Sequence, residues 1–119
     1  MKIAIIAQDG MKVDIRTFAL SHKTLLLNHT IISTEGTAKC IKNIGIDVTA
    51  VASGQEGGDV NIADMVLRDE IDAVIFLLNP TKHFSHECDS HALIRVCNLK
   101  NVIFAGNLQT ADAILKSIR

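Results

Sequence analysis

Five short apolar runs, uninterrupted rather than alternating with polar residues, are what most restricts the fold of this chain: Lys2–Ala7 (KIAIIA), 30–33, 48–52, 73–78 (AVIFLL) and 101–105. A strand with one face in water alternates, whereas a strand that is apolar throughout is covered on both faces, as in a parallel sheet between two layers of helices. The stretches between the runs carry apolar residues at helical spacing: 13–27, 37–44 (closed by Gly45), 60–67, 92–99 and 110–118. This succession predicts an α/β fold, a single doubly wound domain over 1–119, with a five-stranded parallel sheet and helices on both faces.

A chain of 119 residues is long enough for one core and too short for two. Its formal net charge of −1, dispersed lysines, four Phe and absence of Trp and Tyr leave no basic stripe or stacking platform, so no nucleic-acid partner is expected. No apolar run reaches the roughly 20 residues of a membrane span. The opening run meets Asp9 and Gly10 without a signal-peptide cleavage pattern, which predicts a cytoplasmic protein with no membrane partner. Cys40, Cys88 and Cys97 are then expected as reduced thiols, and Cys40 and Cys97, in helical stretches, as packing residues.

In open α/β sheets, ligands bind beyond the carboxyl ends of the strands. The polar residues of this chain gather there: Gln8, Asp9 and Lys12 after the first run, 33–37 after the second, 53–59 after the third, 79–89 after the fourth and Asn107 after the fifth. The segment Ser53-Gly54-Gln55-Glu56-Gly57-Gly58-Asp59 is a glycine-rich turn that brings a carboxylate to the mouth of a helix. Backbone amides and a nearby acid suit phosphate binding combined with proton abstraction, and the same residues also suit a tight turn with an acidic helix start. Ser33-Thr34-Glu35-Gly36-Thr37-Ala38-Lys39 offers hydroxyls and free N–H groups to an oxyanion, or Thr37 simply caps its helix. Lys12 is either a point charge for the same phosphate or a solvated surface lysine.

The fourth loop, 79–91, holds three of the five histidines (His83, His86, His91) with Glu87, Asp89 and Cys88. These are zinc-ligand types, but without CxxC or HxxxH pairing, and Asp89 equally suits the start of the following helix. No metal is expected.

The motifs, taken in order, resemble the methylglyoxal synthase family over nearly the whole chain. The residues that carry the resemblance are the opening strand with Gln8-Asp9, Ser53-Gly54-x-x-Gly57-Gly58-Asp59, Ile71-Asp72-Ala73-Val74-Ile75-Phe76, Pro80, His86-Glu87-x-Asp89, Ala92-Leu93-Ile94-Arg95 and Asn107-x-x-Thr110-Ala111-Asp112. The resemblance implies a lyase that converts dihydroxyacetone phosphate to methylglyoxal and inorganic phosphate through an enediolate, without metal or organic cofactor, as a homohexamer. It implies Asp59 as the base, His86 as hydrogen-bond donor and proton shuttle, and Asp89 as a partner that orients His86 or shares the proton transfer. Phosphate-binding positions fall on Lys12, Thr34, Gly36, Thr37, Ser53 and Gly54, with Gln8 and Asp9 on the rim. Three positions depart from the pattern. Gln8 stands where the family has histidine, Asn79 where an aspartate commonly precedes Pro80, and Gly36 at a threonine position. That second loop looks like the related domains of carbamoyl phosphate synthetase and of the bifunctional purine-biosynthesis enzyme, so the alternative is a non-catalytic regulatory module of the same fold that binds a phosphorylated ligand.

Overall fold

A computed structural model describes residues 1–81 and 90–118. Each apolar run is a strand whose ends fall within two residues of the expected ones: β1 (Lys2–Ala7), β2 (Thr30–Thr34), β3 (Val48–Val51), β4 (Ala73–Leu77) and β5 (Ile103–Ala105). They form one parallel sheet in the order β3-β2-β1-β4-β5. The helices are α1 (Lys12–Ser21), α2 (Lys23–Leu26), α3 (Glu35–Lys42), α4 (Gly58–Leu67), α5 (Ser90–Leu99) and α6 (Leu108–Ile118), with a 3₁₀ turn over Gly54–Glu56.

In β1 and β4 alternate residues serve opposite faces, which is why these runs are apolar on both sides, whereas the edge strands β3 and β5 are only partly covered, with Thr49, Ala50 and Ile103 exposed. From β1, Ile3, Ile5 and Ala7 join Ile15, Phe18, Ile41 and Leu115 in one core, while Ala4 and Ile6 join Ile62, Val66, Leu93 and Cys97 in the other. Right-handed crossovers account for this division. The connections from β1 to β2 and from β2 to β3 step one way and leave their helices on one face. The path from β3 to β4 reverses direction and puts α4 and α5 on the opposite face. The reversal makes the carboxyl ends of β1 and β4 the switch point of the sheet, where a doubly wound fold opens a crevice. Among the described residues, no helix is long and apolar enough to cross a membrane. Cys40 and Cys97 are free thiols, and burial pushes Cys97 up to about 11, consistent with a packing role.

Helices α3, α4, α5 and α6 each start two residues before the expected position, α3 also ends two residues early, and the first expected helix is divided. The stretch expected as one helix over 13–27 breaks at His22, whose backbone leaves helical geometry at φ −110°. Its ring contacts the Phe18 carbonyl through Nδ1 at 2.9 Å and Asp112 through Nε2 at 2.6 Å, tying the break to α6. Helix α3 starts at Glu35 rather than Thr37, because Thr34 is extended and takes the N-cap position.

Asp112 also pairs with Lys116 at 3.0 Å. The hydrogen bond with His22, and after it that with Lys116, holds the Asp112 carboxyl below its ordinary range. A carboxylate with a depressed folded-state pKa stabilises the fold above its unfolded value, near 3.9, and loses that contribution as pH falls through the folded value. Asp112→Asn is therefore expected to lower the melting temperature at pH 7, with the deficit shrinking below about pH 4. Melts of both proteins at pH 7 and pH 3 check this, and an equal deficit at both would exclude the carboxylate as its cause.

Candidate active site

The β2–α3 junction places its polar groups by burying them. Thr34 and Thr37 are 4% and 0% exposed. Thr37 is not the cap of its helix. It lies in the first turn of α3, and its Oγ1 accepts from the Ala7 N–H of β1 at 3.1 Å and from Lys12 Nζ at 3.1 Å. A threonine hydroxyl has two acceptor positions and one donor, so with both acceptor positions used Thr37 keeps its O–H to donate. Lys12 also donates to the Ala7 carbonyl, so it is drawn inward onto two neutral oxygens and is not a solvated surface lysine. Gly36 lies beside it, where an added Cβ would stand 3.6 Å from Lys12 Cε. Glu35, the one acid of this loop, is held outside by an exposed i,i+4 pair with Lys39 at 3.7 Å.

The first amides of a helix have no acceptor within it. Thr34 at the N-cap of α3 and Ser53 at the N-cap of the 3₁₀ turn make no side-chain cap bond to them. The hydroxyls of Thr34, Thr37 and Ser53 and two sets of helix-start amides thus remain as donors, beside the ammonium of Lys12. Such a donor set suits an oxyanion.

The turn after β3 is shaped by close approach. Gly57 takes the left-handed conformation at φ +90°, and the Gly58 N–H donates to the Ser53 carbonyl at 2.8 Å. A Cβ on Gly58 would lie 1.9 Å from the Ala52 oxygen and 2.9 Å from Thr34 Cγ2, so this glycine alone lets the head of α4 lie against the β2–α3 junction. Asp59 follows in the first turn of α4 and is 8% exposed.

A third group joins the loops after β1 and β4. Gln8 Oε1 accepts from the Asn79 backbone N–H at 2.7 Å, and Asn79 Nδ2 donates to the Asp9 backbone carbonyl at 3.1 Å. The structure thus gathers Lys12, Gly36 and Thr37 in one group, Thr34, Ser53, Gly54 and Asp59 around Gly58, and Gln8 and Asp9 around Asn79. His86, Asp89 and, apart from His91, the histidine-rich cluster of the fourth loop lie outside the described residues. Sequence reasoning missed the part played by Asn79, which was legible only as a departure from the family pattern. Asn107, read as a rim residue, follows the carboxyl end of β5, and its Oδ1 accepts from the Thr110 N–H at 2.9 Å at the head of α6.

The sequence pattern of the MGS-like domain matches residues 15–105. A methylglyoxal synthase of Lysinibacillus sphaericus is 39% identical over the whole chain and 90% of its own length. The chain belongs to the MGS-like domain family. Another MGS-like relative, a methylglyoxal synthase of Moorella thermoacetica, is 40% identical over 98% of the chain and 91% of its own length. The crystal structure of the methylglyoxal synthase from Elizabethkingia anophelis superposes with a TM-score of 0.94 at 36% identity, covering 98% of this chain and 78% of that one. The MGS-like fold thus extends over the sheet and both helical layers.

Proposed function

We propose that this chain, as one MGS-like domain over 1–119, is a methylglyoxal synthase acting on dihydroxyacetone phosphate. The observation that supports the reading is that Gly58, the residue before Asp59, leaves no room for a side chain beside the Thr34 methyl and donates its N–H to the Ser53 carbonyl, so the acid follows directly on the residue that packs against both hydroxyl-bearing residues. In this reading Asp59 removes a proton from the hydroxymethyl carbon, on the far side of the carbonyl from the phosphate ester. His86 donates to the enediolate oxygen and Asp89 orients it. The electron pair of the enediolate then expels phosphate, and tautomerisation of the resulting enol, with a proton returned to the terminal carbon, yields methylglyoxal. Lys12, Thr34, Thr37, Ser53 and the Gly54 amide hold the phosphate, with Gly36 leaving room for Lys12 and with Gln8 and Asp9 on the rim. Holding the breaking C–O bond perpendicular to the enediolate plane favours elimination over isomerisation. The reaction uses no metal or organic cofactor, and its products are methylglyoxal and inorganic phosphate.

The proposal extends to a cytoplasmic homohexamer without nucleic-acid or membrane partners. In support of self-association, Val13 and Leu20 on α1 and Val60 and Leu67 on α4 form i,i+7 apolar pairs that are 77%, 59%, 64% and 48% exposed. Purified, chelator-treated protein is expected to release methylglyoxal and phosphate from dihydroxyacetone phosphate in equal amounts. A protein that releases neither, yet melts at higher temperature with phosphate, would be the regulatory module instead, a reading favoured by the glycine at position 36.

A further inference from the structure

We propose that the side chains of Gln8 and Asn79 form a clasp that positions the site, locking the loop that carries Asp9 and Lys12 to the turn that leaves β4. Every contact of this clasp has a determined sense. A backbone N–H can only donate, so the Gln8 amide must present its oxygen to Asn79. A carbonyl can only accept, so Asn79 must present its NH₂ to Asp9. The other end of that amide then points its oxygen at Thr81, accepting from its N–H at 3.1 Å and its hydroxyl at 2.9 Å. Asn79 thereby closes the turn containing Pro80 with one end of its amide and holds the opposite loop with the other.

The clasp is specific to amides. An aspartate at position 79 would accept from Thr81 but would set a carboxylate oxygen against the Asp9 carbonyl. A protonated histidine at position 8 has no lone pair for the Asn79 N–H. Backbone geometry agrees: Gly10 has φ +89°, and a Cβ there would lie 2.6 Å from Asn79 Nδ2, so the β1–α1 loop folds tightly onto the clasp. The two loops lie at the switch point, on chain segments that diverge to opposite faces of the sheet, and β1 and β4 are joined only as far as Ala7↔Leu77. Beyond that pair, the Gln8 N–H to Leu77 carbonyl bond at 3.0 Å and the clasp hold the crevice at its working width. Gln8 and Asn79 therefore act as positioning residues, through Asp9 and Lys12 on one side and through the Pro80–Thr81 turn on the other.

The inference rests on the lyase reading for its effect on catalysis, and its test separates the two. Gln8→Leu and Asn79→Ala should each lower kcat at least about tenfold with KM within about threefold of wild type, since a misplaced group is felt mainly in the transition state. The double variant should be no worse than either single one, because both remove the same connection. Thr81→Ser, which keeps both donors to Asn79, should match wild type. A raised KM with unchanged kcat in Gln8→Leu would mean that Gln8 touches substrate directly and would overturn the clasp. Amide hydrogen exchange, read without substrate, should be slow at Asn79 in wild type and at least about tenfold faster in Gln8→Leu, and likewise at Thr81 in Asn79→Ala. Unchanged exchange in both variants overturns the clasp. A wild-type protein with no turnover overturns the lyase reading, and exchange then decides the clasp alone.

Discussion

Replacing Asp59 with asparagine is expected to lower the turnover of dihydroxyacetone phosphate by about 10²- to 10⁴-fold, the range over which a positioned general base contributes, while inorganic phosphate still raises the melting temperature. Asparagine has the shape of aspartate and lacks the basic oxygen, so the change separates chemistry from architecture. Asp59 lies in the first turn of α4 and is 8% exposed, where shape matters to packing as well as to reaction. The donors proposed to hold phosphate belong to other segments: Lys12 at the head of α1, Thr34 and Thr37 at the β2–α3 junction and Ser53 before the 3₁₀ turn. Binding of phosphate should therefore outlast loss of the acid. If the variant no longer responds to phosphate, Asp59 supports the loop rather than the proton transfer, and another group must be the base.

Among Gly10, Gly36, Gly45, Gly57, Gly58 and Gly106, Gly58 is expected to be the most damaging to replace with alanine. Its Cβ would stand 1.9 Å from the Ala52 oxygen, 2.9 Å from the Ala52 carbonyl carbon and 2.9 Å from Thr34 Cγ2. Two of those three atoms are backbone, so relief requires the β3 end and the α4 head to separate. Forced overpacking with backbone displacement costs about 3 kcal/mol or more, roughly 10 °C or more in melting temperature for a domain of this size. The adjacent position gives the control. A Cβ on Gly57 meets nothing within 4 Å, and only its φ of +90° opposes a side chain. Gly57→Ala should thus cost on the order of 1–2 kcal/mol, the usual strain of a left-handed non-glycine residue. Urea or thermal melts of the two variants check the order, and a Gly58→Ala protein as stable as Gly57→Ala would disprove the close approach. A folded remnant of Gly58→Ala should also have weakened phosphate binding, because Thr34 lies on the same contact.

Much of the site was legible because its residues come in short segments at strand ends. The Gly57-Gly58-Asp59 turn could be read as a tight turn carrying an acid to a helix start, and Gly57 is left-handed with Asp59 in the first turn of α4, while the burial of Asp59 had no signal in the sequence. Lys12 was harder, since a lone lysine after a strand has no local signal of burial. It is Thr37, 25 residues away, that draws it in. Thr37 itself read equally as a cap, because the first residue of α3 depends on the extended backbone of Thr34 rather than on composition. The clasp left only a trace, as two amides at positions where the family carries titratable groups. Gln8 and Asn79 are 71 residues apart, and their partnership exists only once β1 and β4 are neighbours.

The sequence by itself determined the layers and the rim. Uninterrupted apolar runs have no stable place except between two covers, and apolar side chains on both sides of β1 and β4 are a property of each strand alone. Polar residues following such runs have to emerge at the carboxyl ends, so the location of the site followed as well. Tertiary structure decided which of those rim groups meet and which way they point. Glu35 faces outward to Lys39, Thr37 ties α3 to β1, Gly58 lets α4 lie against the β2–α3 junction, and Asn79 bridges two loops. These outcomes depend on the order β3-β2-β1-β4-β5, which brings distant segments side by side. A hydrogen bond or a close backbone approach is set by that juxtaposition, whereas hydrophobic burial, being non-directional, is already written in the periodicity of each segment.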